Sequence, residues 1–262
     1  MDIITAILVD GGFYRKRSKY LFGEKTAEER ADELYRYCMA HINYNSRSRG
    51  DAGVQCYLYR IFYYDCPPIE DTLMHPLKGA INFKKSETYR WTTAFFLALK
   101  QKRKVALRLG KIDRKDSAFR LKQDKLRDLC QKKITVDDLT EYDFEPAFGQ
   151  KGVDMRIGLD IASLSHKRQV NQIILISGDS DFVPAAKHAR REGIDFILDP
   201  MWAKINDDLL EHIDGLRSPR LNPHKSTEHE VDHAPLPTES EPLLRHEAPT
   251  ESTLGTLGVK AD

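Results

Sequence analysis

The stretch Ile173-Ile174-Leu175-Ile176-Ser177-Gly178-Asp179-Ser180-Asp181-Phe182 constrains the fold more than any other part of the chain. A short unbroken apolar run, rich in β-branched residues and ended abruptly by Ser-Gly, is the pattern of a strand buried on both faces of a parallel sheet. The residues from Phe182 to Ala189 then read as a helix. In open parallel sheets, ligands bind beyond the carboxyl ends of the strands. Asp179 and Asp181 therefore stand where such a fold does its chemistry.

Ile3 to Val9 is a second continuous apolar run, and it stops at Asp10-Gly11-Gly12-Phe13. It predicts another buried strand, an aspartate at its end, and glycines that let the backbone turn sharply. Arg15 to Tyr20 reads as a basic, aromatic loop. A helix begins at Thr26, where Thr26 and Glu29 have the spacing of a capping box. Val54 to Tyr64 has the strongest β propensity in the chain and ends at Asp65-Cys66-Pro67-Pro68. Ile69 to Phe83 looks irregular, Ser86 to Lys100 helical with Ser86 as its cap, and Val105 to Gly110 a short strand. Ser117 to Lys132 is read as a basic helix, and Ile134 to Gln150 is ambiguous. A helix follows Lys151-Gly152-Val153-Asp154 to about Ser165. Strand, helix and strand then alternate through Gln172–Ser177, Asp181–Glu192 and Ile194–Leu198, with a last short helix over Asp207–Ile213. This alternation predicts an α/β fold with a mainly parallel sheet.

Composition adds boundaries. The 262 residues carry a net charge of +1, but Ser218 onward holds eight acidic residues against four Lys/Arg. Six of the twelve prolines also lie beyond Ser218, so residues 218–262 read as a disordered tail and 1–217 as the folded unit. Lys100 to Lys133 has fourteen Lys/Arg against four Asp, enough either for a phosphate-attracting surface or for two solvated helix faces. The enlarged, basic middle region is 64–148. The four cysteines form no CxxC pair, as expected in a reducing cytoplasm. There is no charged n-region of a signal peptide, and no apolar run nears the roughly 18 residues of a membrane span. A soluble cytoplasmic protein is expected. Oligomeric state is open, and a homodimer is compatible with the sequence.

A single aspartate at a strand end is commonly a turn residue or a helix cap, and Asp181 would cap its helix well. Several together are different, because crowded carboxylates repel unless a cation or a proton is shared. Hard divalent ions choose such oxygen ligands. Asp160 fits this picture in a second way. Val153, Ile157 and Leu164 form an apolar stripe, and Asp160 occupies its missing position. An aspartate on an inward face needs either a site role or a specific partner.

Asp10-Gly11-Gly12, Lys151-Gly152-Val153-Asp154 with Asp160 six residues on, and Ser177-Gly178-Asp179-Ser180-Asp181-Phe182 with Pro184 resemble the motifs of the NYN domain family, the LabA-like group of PIN-like ribonucleases. The resemblance covers both ends of the first 216 residues, and the middle carries no recognisable motif. Many relatives place an asparagine soon after the first aspartate, where this chain has Gly11-Gly12-Phe13. The resemblance implies a three-layer α/β/α sandwich and a Mg²⁺- or Mn²⁺-dependent endoribonuclease. Its acidic site matches Asp10, Asp154, Asp179 and Asp181, with Asp160 as a further acidic position that could orient the others.

A metal-activated water would then attack a phosphodiester, with no Ser, Cys or His nucleophile. Divalent metal is expected to raise the melting temperature. The substrate should be single-stranded RNA. Lys151, Ser177, Arg15 and Lys16 are candidate phosphate or RNA contacts, and Phe13, Tyr14 and Tyr20 supply stacking surfaces. Two rivals remain. One is a non-catalytic RNA-binding or regulatory module of the same fold. The other is a phosphatase of the haloacid-dehalogenase type, which wants an aspartate two residues after the first, where this chain has Gly12.

Overall fold

A computed structural model describes residues 2–48 and 55–219 of the chain. The strand β1 (Ile3–Asp10) lies inside a six-stranded sheet because both its faces are apolar. Ile7 and Val9 point to one side, Ala6 and Leu8 to the other, and all four are fully buried. Each such side chain contributes about 1.5–3 kcal/mol relative to exposure, less for alanine. The remaining elements follow in order: α1 (Gly11–Phe22), α2 (Ala27–Ser48), β2 (Cys56–Asp65), β3 (Thr72–His75), β4 (Gly79–Asn82), α3 (Glu87–Lys100), β5 (Val105–Leu109), β6 (Lys111–Leu121), α4 (Gln123–Cys130), β7 (Phe144–Lys151), α5 (Val153–His166), β8 (Gln172–Ile176), α6 (Val183–Arg191), β9 (Asp195–Asp199), α7 (Asp207–Leu210) and β10 (Gly215–Leu216).

The sheet runs β10-β9-β8-β1-β2-β5, and every neighbouring pair is parallel. On one face Tyr14 of α1, Leu34 and Tyr37 of α2, and Phe95 and Leu99 of α3 pack on Ile7, Val9, Tyr63 and Ile174. On the other, Ile157 and Ile161 of α5 and Ala186 and Ala189 of α6 pack on Ala6, Leu8, Ile173 and Leu175. This is the expected three-layer sandwich. From β1 the chain builds outward through β2 and β5, then returns to β1's other side with β8. The carboxyl ends of β1 and β8 thus flank a switch in strand order, where an open sheet leaves a crevice for a ligand.

Between β2 and α5 the chain also builds an accessory layer. β3 and β4 form an antiparallel hairpin, and β6 pairs antiparallel with β7. The His75 ring lies 4.6 Å from Phe119 and 5.3 Å from Phe144, and Phe83 meets Phe148 edge-on at 5.2 Å.

Three expectations change. Arg15 to Tyr20 is helical, as part of α1, not a loop. Asp10 caps this helix by accepting from the Phe13 N–H, and Arg17 anchors it through Nε to the Met201 carbonyl at 2.8 Å. Ile69 to Phe83 contains the β3–β4 hairpin, which turns where Gly79 takes φ 78° and His75 Nδ1 accepts from the Leu77 and Lys78 N–H groups. Ser117 to Lys132 splits into the end of strand β6 and the short α4, because pairing with the distant β7 outweighs the local helical pattern. The two capping readings hold. The Thr26–Glu29 box forms in both directions, and Ser86 Oγ accepts from the Tyr89 N–H at 3.1 Å. The strand read from Val54 is described from Gln55 onward, and the proposed tail lies outside the described residues from 220 on.

Candidate functional site

Asp10 is the last residue of β1 and the cap of α1. Its Oδ1 accepts from the Phe13 N–H at 3.1 Å, and its Oδ2 accepts from Ser177 Oγ at 3.2 Å. Ser177 is fully buried just past β8, and its Oγ also accepts the Asp179 N–H at 3.3 Å. The β1 and β8 ends are therefore tied through one hydroxyl. Ser177, read from the sequence as a candidate phosphate contact, thus brackets Asp10 from the interior. Gly178 is small because an added Cβ would lie 2.9 Å from the Phe13 ring.

Asp154 enters from the other side, in the first turn of α5. Gly152 precedes that turn with φ 81°, a left-handed conformation that glycine adopts without strain. Asp10 and Asp154 line one cavity of about 110 Å³ together with Gly12, Asp65, Gln150, Gly152 and Val153. That is room for several waters. The Asp10 carboxyl is pushed above the ordinary 3.8, chiefly by burial, with Asp154 and Asp65 adding repulsion against its bonds to Phe13 and Ser177. Asp154 is an exposed residue, and its carboxyl is raised by partial desolvation and then by Asp179 and Asp181. Asp154 thus shares the cavity with Asp10 and feels the aspartate pair beyond β8.

Within that pair the roles differ from expectation. Asp179 caps the short 3-10 turn Ser180–Phe182, its Oδ1 accepting from the Asp181 N–H at 2.9 Å. Asp181 caps nothing, since α6 starts at Val183 without a side-chain cap. Both carboxylates are exposed.

Asp160 is held away from the cavity. Its Oδ2 accepts from the Tyr64 hydroxyl at 2.7 Å and pairs with Arg108 Nε at 3.1 Å. Of the two explanations for its inward position, the specific partner is the one observed. Lys151 ends β7 at the cavity rim and forms an ion pair with Asp113. Lys16 is exposed on α1, whereas Arg15 pairs with Asp65 through Nη2 at 3.1 Å.

Asp65 is the cavity residue that the sequence reading passed over. It ends β2, the other parallel neighbour of β1, one position past Tyr64, which is in register with Asp10. A third strand-end aspartate next to the first was a usable signal. The strand end alone does not identify a site, however. Asp199 ends β9 fully buried, and its carboxylate is consumed by His41 Nε2 at 2.8 Å, the Met201 N–H at 2.7 Å and Ser218 Oγ at 2.5 Å.

The four aspartates expected from the sequence, Asp10, Asp154, Asp179 and Asp181, offer hard oxygens, and the raised carboxyls of Asp10 and Asp154 reflect desolvation and crowding that a cation would offset. Among the described residues, no three His, Cys, Asp or Glu side chains are grouped closely enough to hold one ion as they stand. The chemistry of these oxygens fits a hard divalent ion, and Asp154, Asp179 and Asp181 are all exposed to solvent.

The NYN domain model matches residues 92–214, and the resemblance read from the motifs holds. The matched span contains Asp154, Asp179 and Asp181, and it leaves out Asp10. The NYN family belongs to the PIN-like superfamily and is generally nuclease-like and RNA-acting. No curated protein matches the chain. Among solved structures, the chain is similar to a protein of unknown function from Vibrio parahaemolyticus, with 14% identity, 82% of this chain and 91% of that chain covered, and a TM-score of 0.41.

Proposed function

We propose that this chain is a metal-dependent ribonuclease that hydrolyses phosphodiester bonds of single-stranded RNA. The observation that carries the reading is the cavity that Asp10, at the end of β1, and Asp154, in the first turn of α5, line together, with Asp179 and Asp181 just beyond the neighbouring strand β8. Asp10, Asp154, Asp179 and Asp181 would hold Mg²⁺ or Mn²⁺. Such an ion shields the anionic phosphodiester and activates a water at neutral pH. Ser177 and the α1 N-terminus fix the Asp10 carboxylate, so its orientation is set before any ligand arrives. The folded unit is taken as 1–217, because β1 lies outside the family match yet sits within the sheet that the match completes. The four cysteines are free, which suits a cytoplasmic setting, and among the described residues no helix is long and apolar enough to cross a membrane.

A non-catalytic RNA-binding module is the second reading, favoured by the absence of three converged metal donors among the described residues. One experiment separates the two. Labelled single-stranded RNA is incubated with protein and Mn²⁺, beside an Asp179→Asn variant and a chelator control. Cleavage that requires Mn²⁺ and falls at least about a hundredfold in the variant is expected from loss of a site carboxylate. Cleavage that survives both the chelator and the substitution would refute the proposal, and RNA binding without cleavage would establish the module.

A further inference from the structure

Asp65 and Arg15 are a charge pair at the cavity that the proposed reaction does not use. Asp65 Oδ1 accepts from Arg15 Nη2 at 3.1 Å and from the Cys66 N–H at 2.8 Å, while Oδ2 accepts from the Tyr63 hydroxyl at 3.1 Å. The carboxylate is 3% exposed, so its oxygens are turned to protein partners and are poorly placed to ligate an ion. Arg15 is held less completely. Its Nε is buried with no hydrogen-bond partner, and Asp10 lines the same cavity as Asp65, the carboxylate Arg15 is paired with. Arg15 follows Asp10 by five residues, on the helix that Asp10 caps. A guanidinium in this position has a second anion to choose. If it turned to Asp10 it would form a charge-assisted bond and neutralise that carboxylate.

We infer that Asp65 is a positioning residue: it holds the Arg15 guanidinium away from Asp10 and so keeps the β1-end carboxylate available to a divalent cation. The inference deepens the proposed nuclease reading and rests on it for the identity of the cation. Physically, a mobile internal cation competes with a divalent ion for the same carboxylate. Asp65, rigidly bonded through Cys66 and Tyr63, is the internal partner that removes the competitor. β1 and β2 bring Asp10 and Asp65 to one cavity wall, and α1 delivers the guanidinium to Asp65.

The test measures Mn²⁺ binding alone, by isothermal titration calorimetry, on the full chain and on Asp65→Asn, Arg15→Gln and the double variant. Crystal structures of the metal-free wild type and Asp65→Asn proteins accompany it. In Asp65→Asn, Mn²⁺ affinity should fall about tenfold to a hundredfold, the scale of one close charge in a partly buried site. Arg15→Gln should bind at least as tightly as the wild type, and the double variant should recover to within about threefold of it, because the competitor is gone. The Asp65→Asn crystal structure should show the guanidinium on Asp10. Wild-type affinity in Asp65→Asn, or a guanidinium that stays beside residue 65, overturns the inference. Wild-type protein that binds no Mn²⁺ overturns the metal-dependent reading instead, and the position of Arg15 in the two metal-free structures still decides the role of Asp65.

Discussion

Gly11→Ala tests whether the site depends on close approach of the α1 N-terminus to β2. A Cβ at residue 11 would stand 2.5 Å from the Tyr64 carbonyl oxygen and 2.6 Å from both the ring carbon Cζ and the hydroxyl of Tyr63. Restoring ordinary contact at 3.4 Å requires the helix start and β2 to separate by about 0.9 Å. Neither neighbour is a flexible tip: one is strand backbone, and the other is a fully buried ring whose hydroxyl bonds Asp65. Overpacking of this kind costs about 1–3 kcal/mol, against at most about 1 kcal/mol gained from replacing glycine in a helix. With a mid-range cost of about 2 kcal/mol and the full offset, the expected net loss is about 1 kcal/mol, or a melting temperature lower by roughly 2–4 °C for a domain of this size. The same shift moves Asp10, and a misplacement near 1 Å at a catalytic group costs on the order of a hundredfold in rate. Gly12→Ala is the control. Its Cβ would meet only Asp10 Oδ1, at an ordinary 3.5 Å, so its melting temperature should stay within about 0.5 kcal/mol equivalent of the wild type. Differential scanning calorimetry and the Mn²⁺-dependent RNA cleavage assay read both effects. A Gly11→Ala protein as stable and active as the wild type would refute the reasoning.

The raised carboxyl of Asp10 gives a pH dependence of definite sign. The folded protein holds this proton above 3.8, where the unfolded chain releases it, so metal-free stability is lost as pH rises through the folded-state value. Asp10→Asn should therefore melt above the wild type at pH 7 without metal, with the gap closing toward pH 4; equal melting at every pH would count against the crowded site. For Asp160, the bonds to Tyr64 and Arg108 predict a structural part. Tyr64→Phe should cost about 1.5–3 kcal/mol, as for a hydrogen bond to a charged group, and change the cleavage rate constant by no more than a few-fold. Loss of cleavage with intact melting would instead place Asp160 in the chemistry.

The strands β1, β8 and β9 were legible because burial on both faces leaves a local signature, an unbroken apolar run closed by a turn residue. Elements whose stability comes from distant partners left none. α1 reads as a loop from Arg15 to Tyr20 because its polar Arg17 and Ser18 are buried, and Arg17 is satisfied by the carbonyl of Met201, far along the chain. The charged strand β6 exists only through its pairing with β7. The site divides in the same way. Which aspartates end strands is written in the sequence, but what each oxygen touches is a backbone property. Asp199 is spent on His41, Asp160 on Tyr64, and Asp65 on Arg15 and Tyr63. In the pair beyond β8 the expected cap moves from Asp181 to Asp179 for the same reason. The 3-10 turn at Ser180–Phe182 hands the cap to Asp179 and commits one of its oxygens to the Asp181 N–H, while α6 starts without a side-chain cap. Asparagine keeps the oxygen that caps the turn, so Asp179→Asn and Asp181→Asn each remove charge and leave the cap, and comparing their cleavage rates measures what each charge contributes.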